Sequence, residues 1–95
     1  MKYKIDYTNK FKKQHKKIKK QGKNMNKLYA VISALADGAE LNSNYLNHKL
    51  IDNKAYKGCS ECHIEPDWLL IYKVYDTDLI LILVATGSHS ELLDK

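Results

Sequence analysis

Four side chains able to move protons stand in the second half of this 95-residue chain: His48, His63, Asp67 and His89. Histidine, with a free pKa near ~6.5, takes or gives a proton at neutral pH. Three imidazoles and a carboxylate suit cleavage of RNA without a metal. One group removes the proton of the ribose 2′-hydroxyl and another protonates the leaving 5′-oxygen. Any one of these histidines, taken alone, reads as a surface or hydrogen-bonding residue, so the set carries the inference. Gathering is expected because His63 and Asp67 flank the turn at Pro66, and His89 closely follows the last apolar segment. The sequence holds no H-E-x-x-H helical pair, and no metal site or cofactor is expected.

The elements that must position these residues are legible in the periodicity. Residues 2–7 alternate as a first short strand, with Thr8 or Asn9 as the N-cap of a helix. Tyr7, Phe11 and Ile18 form a thin apolar stripe among lysines up to Gly22, which suits a C′ position. Asn24 caps a second helix, in which Met25, Leu28, Val31, Ile32 and Leu35 recur at helical spacing until Gly38. Residues 39–55 carry Asn42, Asn44, Asn47, Asp52 and Asn53 without a period, and predict a loop around a short extended stretch that contains His48. Strands are expected at 56–65, 68–75 and 79–86, the last two forming an antiparallel hairpin about Asp76-Thr77-Asp78. Ser88-His89-Ser90-Glu91 has capping-box spacing and predicts one closing helical turn. The order β-α-α-β-β-β with a short C-terminal helix predicts an α+β fold, two helices packed on one face of a mainly antiparallel sheet. Residues 1–95 are expected to form a single domain.

Charge is distributed unevenly. The net charge is +5, yet the first 27 residues hold eleven lysines against the single acid Asp6, and the remainder holds five lysines against ten acids. A one-signed N-terminal third is an electrostatic footprint for RNA or for an acidic protein partner, or simply a solvated helix face. The longest apolar run, 79–85, is far short of the ~20 residues needed to span a bilayer, and Met1–Asp6 lacks the apolar region of an export signal. No membrane association and a cytoplasmic location are expected. Cys59-Ser60-Glu61-Cys62-His63 fits C-x-x-C-H, the pattern of covalent haem attachment. A strand places residues three apart on opposite faces, which disfavours haem, redox and zinc roles alike.

The ordered set Asn47-His48-Lys49-Leu50, Tyr56-Lys57-Gly58, Cys62-His63-Ile64-Glu65-Pro66-Asp67-Trp68-Leu69-Leu70-Ile71-Tyr72-Lys73 and Thr86-Gly87-Ser88-His89-Ser90-Glu91-Leu92 closely resembles the YafQ-type toxins of the RelE superfamily, as does Met25-Asn26-Lys27-Leu28. The H-x-E-P-D-W and T-G-[ST]-H-x-x-L blocks are its most specific parts. The resemblance implies a toxin that enters the A site of the 70S ribosome and cuts translated mRNA, leaving a 2′,3′-cyclic phosphate and a 5′-hydroxyl. It also implies a cognate antitoxin, of ribbon-helix-helix type, holding the toxin inactive in a heterotetramer. By likeness His48, His63, Asp67 and His89 occupy the acid/base positions, with His89 the leading candidate to protonate the leaving oxygen and Asp67 or another histidine assisting the 2′-hydroxyl. Lys57 and Trp68 fall where the family contacts phosphate and orients RNA, and the lysine-rich first helix would lie against ribosomal RNA.

Two positions depart from the family. Ala85 stands where an arginine immediately precedes T-G-[ST]-H, and Leu93 replaces a terminal aromatic expected to contact RNA. Loss of one preorganised donor to a reacting oxyanion costs ~2.7–4 kcal/mol, roughly 10²–10³ in rate. The chain is therefore expected to be a weakened or inactive nuclease, whether the alanine is natural or introduced. Two non-catalytic readings stand beside this one. The first is an inhibitor of a protein target like the ParE branch, whose members lack the histidine set; the second is a module that binds its antitoxin and tunes that partner's DNA binding.

Overall fold

The chain starts as strand β1 (Lys4–Tyr7) and turns at Thr8, whose hydroxyl accepts the Phe11 N–H at 3.0 Å and so caps helix α1 (Asn9–Lys20). The structure, a computed structural model, describes residues 1–93. Gly22, at φ +79°, closes α1: its N–H donates to the Lys19 carbonyl at 3.2 Å and that of Lys23 to the Ile18 carbonyl at 3.4 Å. Helix α2 (Met25–Ala36) follows at once, its first turn capped by the Asn24 side chain, which accepts the Asn26 N–H at 3.2 Å. A 3-10 turn at Ser43–Tyr45 leads to β2 (His48–Lys49), then β3 (Ser60–Glu65), β4 (Trp68–Tyr75), β5 (Ile80–Gly87) and α3 (His89–Leu93).

One five-stranded sheet, ordered β1-β5-β4-β3-β2, carries these elements. Its only parallel pair among the described residues is β1 with β5. Both long helices cover one face, where Phe11, Ile18, Leu28, Val31, Ile32 and Leu35 pack on Cys62, Trp68, Leu70, Leu81 and Leu83. Complete burial of a leucine contributes ~1.5–3 kcal/mol, so Leu28, Leu70 and Leu81, all at 0% exposure, anchor this layer. The opposite face is smaller. Tyr56, Cys59, Leu69, Ile71, Ala85 and Leu92 pack there under the 50–59 segment and α3.

The predicted α+β architecture is present, with shifted boundaries. The third strand begins at Ser60 rather than 56, because Asn53 Oδ1 accepts the N–H groups of Ala55 and Tyr56 at 3.0 and 3.2 Å and winds that stretch into turns. β5 begins at Ile80, since Leu79 adopts a left-handed φ of 55° in the hairpin turn. The segment expected as a loop holds the 3-10 turn and the two-residue β2. Cys59 and Cys62 lie in the cores of opposite faces, and burial pushes the Cys62 thiol up to about 12, so the C-x-x-C-H match cannot act as a ligand pair. No helix among the described residues is long and apolar enough to cross a membrane.

A bulge interrupts β5 near its C-terminal end. Ile71 pairs with Ala85 and Tyr72 with Leu83, leaving Val84 as the extra residue. Strict alternation would put Ala85 on the helix-covered face with Leu81 and Leu83; the bulge turns it to the other face instead. The backbone groups freed there are satisfied by α1 and its cap. The Thr8 hydroxyl donates to the Val84 carbonyl at 2.7 Å, and Gln14 Oε1 accepts the Thr86 N–H at 2.9 Å.

Candidate active site

On β3 the side chains of Glu61 and His63 point to the smaller face, opposite Cys62 and Ile64, and β4 places Ile71 and Leu69 beside them. The register slips between His63 and Glu65, a bulge that ends the strand at the Pro66-Asp67 turn. Asp67 then meets α3. Its Oδ1 accepts the backbone N–H of His89 at 2.9 Å and contacts the ring Nδ1 at 2.7 Å. These hydrogen bonds hold the Asp67 carboxyl below the usual carboxylate range, so it is ionised at neutral pH and the His89 ring hydrogen sits on Nδ1.

His89 Nε2 is left facing His63 Nε2 at 3.3 Å, and His63 Nε2 also lies 3.2 Å from Glu61 Oε1. With the His89 hydrogen on Nδ1, its bare Nε2 accepts from His63 Nε2, and Glu61 Oε1 lies beside that nitrogen as an ion-pair contact rather than as a second acceptor of its hydrogen. His63 Nδ1 is buried and has no hydrogen-bond partner among the described residues. The result is a continuous chain Asp67, His89, His63, Glu61, with two imidazoles in the middle and a carboxylate at each end. Glu61 is 4% exposed and His89 is at the surface end.

His48 reaches the same place from the sheet edge. β2 pairs His48 with Glu61, and the His48 Nδ1 hydrogen donates to the Leu46 carbonyl at 2.8 Å, leaving Nε2 bare. Tyr72 steadies this edge by donating its hydroxyl to Asn47 Oδ1 at 2.5 Å. His48, Glu61, His63, His89 and Leu93 line one cleft of about 450 Å³ with the 50–53 segment. Asp67 stands behind His89 rather than in the cleft wall.

The other expected site residues lie elsewhere. Trp68 is 0% exposed, its Nε1 hydrogen donating to Thr86 Oγ1 at 3.0 Å beneath the helices, so it is a core residue and offers RNA no face. The start of β4 points it inward, because its register partner is Glu65 at the end of β3. Lys57 is exposed on a neighbouring groove that shares Leu50, Asp52 and Asn53 with the cleft. Ala85 is 0% exposed and shares the cleft's sheet face: Glu61, Ile71 and Ala85 form one row across β3, β4 and β5. Glu61 was the residue missed by sequence reading. The available signal was its place two residues before His63 on a strand, which puts both on one face.

α3 is held by its own first turn. Glu91 Oε1 accepts the Ser88 N–H at 3.0 Å, and the Glu91 N–H donates to Ser88 Oγ at 3.2 Å, completing the capping box. Its other oxygen accepts from Lys17 Nζ of α1 at 2.8 Å. Lys17 and then Ser88 lower the Glu91 pKa from 4.5 to about 2. A depressed carboxylate stabilises the fold above its unfolded pKa and loses that contribution as pH falls through the folded value. Wild type should therefore out-melt Glu91→Gln at pH 7 by no more than ~1 kcal/mol, since the pair is solvent-exposed. Thermal unfolding from pH 7 to pH 2 checks this: the gap should shrink only below about pH 4.5, and a constant gap would remove the ionic account.

Fold and site together define a small α+β domain whose sheet carries an acid–base cleft. Residues 3–94 match the family model described as the bacterial toxin of type II toxin–antitoxin systems, YafQ. The chain is 38% identical over 89 residues to the mRNA interferase toxin YafQ of Escherichia coli strain B / BL21-DE3, covering 93% of this chain and 92% of the relative. It superposes on the toxin of the E. coli DinJ–YafQ complex with a TM-score of 0.83 at 35% identity, over 95% of this chain and 97% of that one. With the metal-bound toxin from Helicobacter pylori the TM-score is 0.87 at 38% identity, over 95% and 98% of the two chains. This chain therefore belongs to the YafQ family of type II toxin–antitoxin toxins.

Proposed function

We propose that this chain is an endoribonuclease that cuts mRNA by attack of the ribose 2′-hydroxyl on the adjacent phosphate. The observation that carries this reading is the Asp67–His89–His63–Glu61 chain opening on a cleft that His48 also lines. The bare Nε2 of His48 suits the base that takes the 2′-hydroxyl proton. His89 suits the acid in its imidazolium form, with a second proton on Nε2 in place of the hydrogen bond it accepts from His63: the ionised Asp67 stabilises that cation, and the Nε2 proton passes to the leaving 5′-oxygen. His63 and Glu61 hold the His89 ring from the other side and connect it to a second proton acceptor. One proton is taken and one given, so the products are a 2′,3′-cyclic phosphate and a 5′-hydroxyl.

The name of the E. coli relative, an mRNA interferase, supports this substrate class. The exposed face of α1 presents Lys12, Lys13, Lys16, Lys19 and Lys20, a surface for the phosphates of ribosomal RNA at the A site. The complex of a structural relative with DinJ supports an antitoxin partner, here taken to be a ribbon-helix-helix protein in a heterotetramer. Primer extension on a message, with and without ribosomes, tests the reading. Cleavage only of translated message is expected; an intact message in both arms, from protein that is folded and carries arginine in place of Ala85, would sink it.

The same cleft has the geometry of a metal trap. Glu61, His63 and His89 each offer one ligand atom, all within 4.8 Å of one another. The two separations from His63 Nε2, 3.2 and 3.3 Å, match the roughly 3.3 Å edge of a tetrahedron about an ion with ~2.0–2.1 Å bonds, and an ion would draw Glu61 and His89 together along the third edge. The H. pylori neighbour is a metal-bound toxin, which supports this capacity. An ion there would occupy the nitrogens that proton transfer needs, so Zn²⁺ or Cu²⁺ should inhibit. Cleavage is expected to be unchanged by EDTA, to be suppressed by either ion, and to be less sensitive in Glu61→Gln. Activation by added metal would reverse the reading.

A further inference from the structure

A second concavity also borders His63. The groove has a volume of about 580 Å³ and is lined by Asn42, Asn44, Tyr45, Leu46, His63 and the 64–66 segment. His63 is common to both: it lines the cleft that holds His48 and His89 and also this groove. β2 pairs only with Ser60 and Glu61, so the edge of β3 from Cys62 to Glu65 runs past the end of β2 with no strand beside it. The 3-10 turn at Ser43–Tyr45 stands over that edge in its place.

The groove brings together what a splayed nucleobase uses. Strand-edge N–H and carbonyl groups and asparagine amides read the polar edge of a base, while apolar side chains cover its faces. Asn44 is exposed, and its side-chain amide makes no hydrogen bond among the described residues. Asn42 Oδ1 accepts the Asn44 N–H at 2.9 Å, which fixes the turn and leaves the Asn42 NH₂ free to donate. Leu46 is 58% exposed although it holds a left-handed φ of 49°, a conformation that leucine adopts at a cost. That conformation sets Leu46 at the groove while aiming its carbonyl at His48 Nδ1, so one strained residue joins the groove to the catalytic histidine. Glu65, the acid at the groove floor, is paired with Lys27 Nζ at 3.0 Å, which reduces its repulsion of RNA.

We infer that this groove is the subsite for a nucleobase flanking the cleaved bond, and that Asn44 and Leu46 determine sequence preference there. The inference rests on the ribonuclease reading, because it is the scissile phosphate in the cleft that brings the neighbouring base across His63. Base preference on this side of the bond is then partly a property of the toxin and not of the ribosome-bound codon alone.

Two measurements test it. In the first, cleavage sites are mapped by primer extension on a message panel with every base at the positions flanking the cut, for Ala85→Arg alone and for Ala85→Arg combined with Asn44→Ala or with Leu46→Ala. The expected result is loss of about tenfold preference at one flanking position in both variants, a change typical of removing a base contact. Unchanged preference at every position overturns the subsite. The second needs no turnover: the free toxin is titrated by NMR with uncleavable 2′-O-methyl trinucleotides of varied sequence. The Asn44 side-chain amide and the Ile64 and Glu65 backbone amides should shift together with His63, most strongly for one base. Shifts confined to His48, His89 and the cleft rim overturn the groove and leave the ribonuclease reading standing. Shifts nowhere overturn the groove as a base subsite and leave the ribonuclease reading to the translated-message assay.

Discussion

Replacement of His89 by alanine is expected to reduce mRNA cleavage by ~10²–10⁴-fold, the range over which a positioned general acid or base acts. The imidazole is the one group in the cleft fixed from both ends, by Asp67 at 2.7 Å on Nδ1 and by His63 at 3.3 Å on Nε2. Its loss also separates the Glu61–His63 pair from Asp67. His89→Gln keeps the size and a polar end but carries no exchangeable charge, and should be nearly as impaired. Asp67→Asn should fall between these and wild type, because an asparagine can turn its NH₂ toward Nδ1 and reverse the tautomer. Single-turnover cleavage of a translated message, with near-ultraviolet circular dichroism to confirm the fold, gives the comparison. Full activity in folded His89→Ala would remove His89 from the chemistry.

Ala85→Arg is expected to act in the opposite direction, raising cleavage by roughly 10²–10³-fold if the missing donor to the phosphate limits the rate. The bulge at Val84 places position 85 on the cleft's sheet face, in one row with Ile71 and Glu61. Strands are spaced about 4.8 Å apart, so an arginine lying over Ile71 approaches the cleft wall from roughly 10 Å away. The alanine is fully buried among Tyr56, Ile71 and Leu92, and a larger side chain must lift that cover. Overpacking of this kind costs about 1–3 kcal/mol, so the variant should melt at a lower temperature while it cuts faster. Growth arrest on induction and primer extension read the gain. A folded Ala85→Arg protein with no gain in either would refute the lost-arginine account. His89→Ala is best measured in both backgrounds, since its effect is largest where the starting activity is highest.

Much of this was written in local sequence. Thr8, Asn24 and the Ser88–Glu91 box cap helices where their spacing placed them, because capping needs only neighbours within one turn. The hairpin of β4 and β5 follows from two apolar runs around polar turn residues, and only the left-handed residue Leu79 moved its edge. Residue type singled out His48, His63, Asp67 and His89, and the turn at Pro66 with the apolar run before His89 led to the expectation that they gather, while the resemblance supplied their acid/base roles. Trp68 was misplaced on the RNA surface because its identity does not reveal which face of the sheet it meets. Glu61 was passed over because an acid on a strand is ordinary until a histidine is found 3.2 Å away.

Sequence alone therefore determined the element types, the caps and the family. These depend on residues a few positions apart and on ordered motifs. Tertiary structure decided three other things: that Asp67 reaches His89 rather than His63, that a bulge turns Ala85 to the sheet face that carries the cleft, and that β2 stops short and leaves an open strand edge beside His63. Each depends on strand register, and register is set by packing across the whole sheet, where a slip of one residue sends a side chain to the other face.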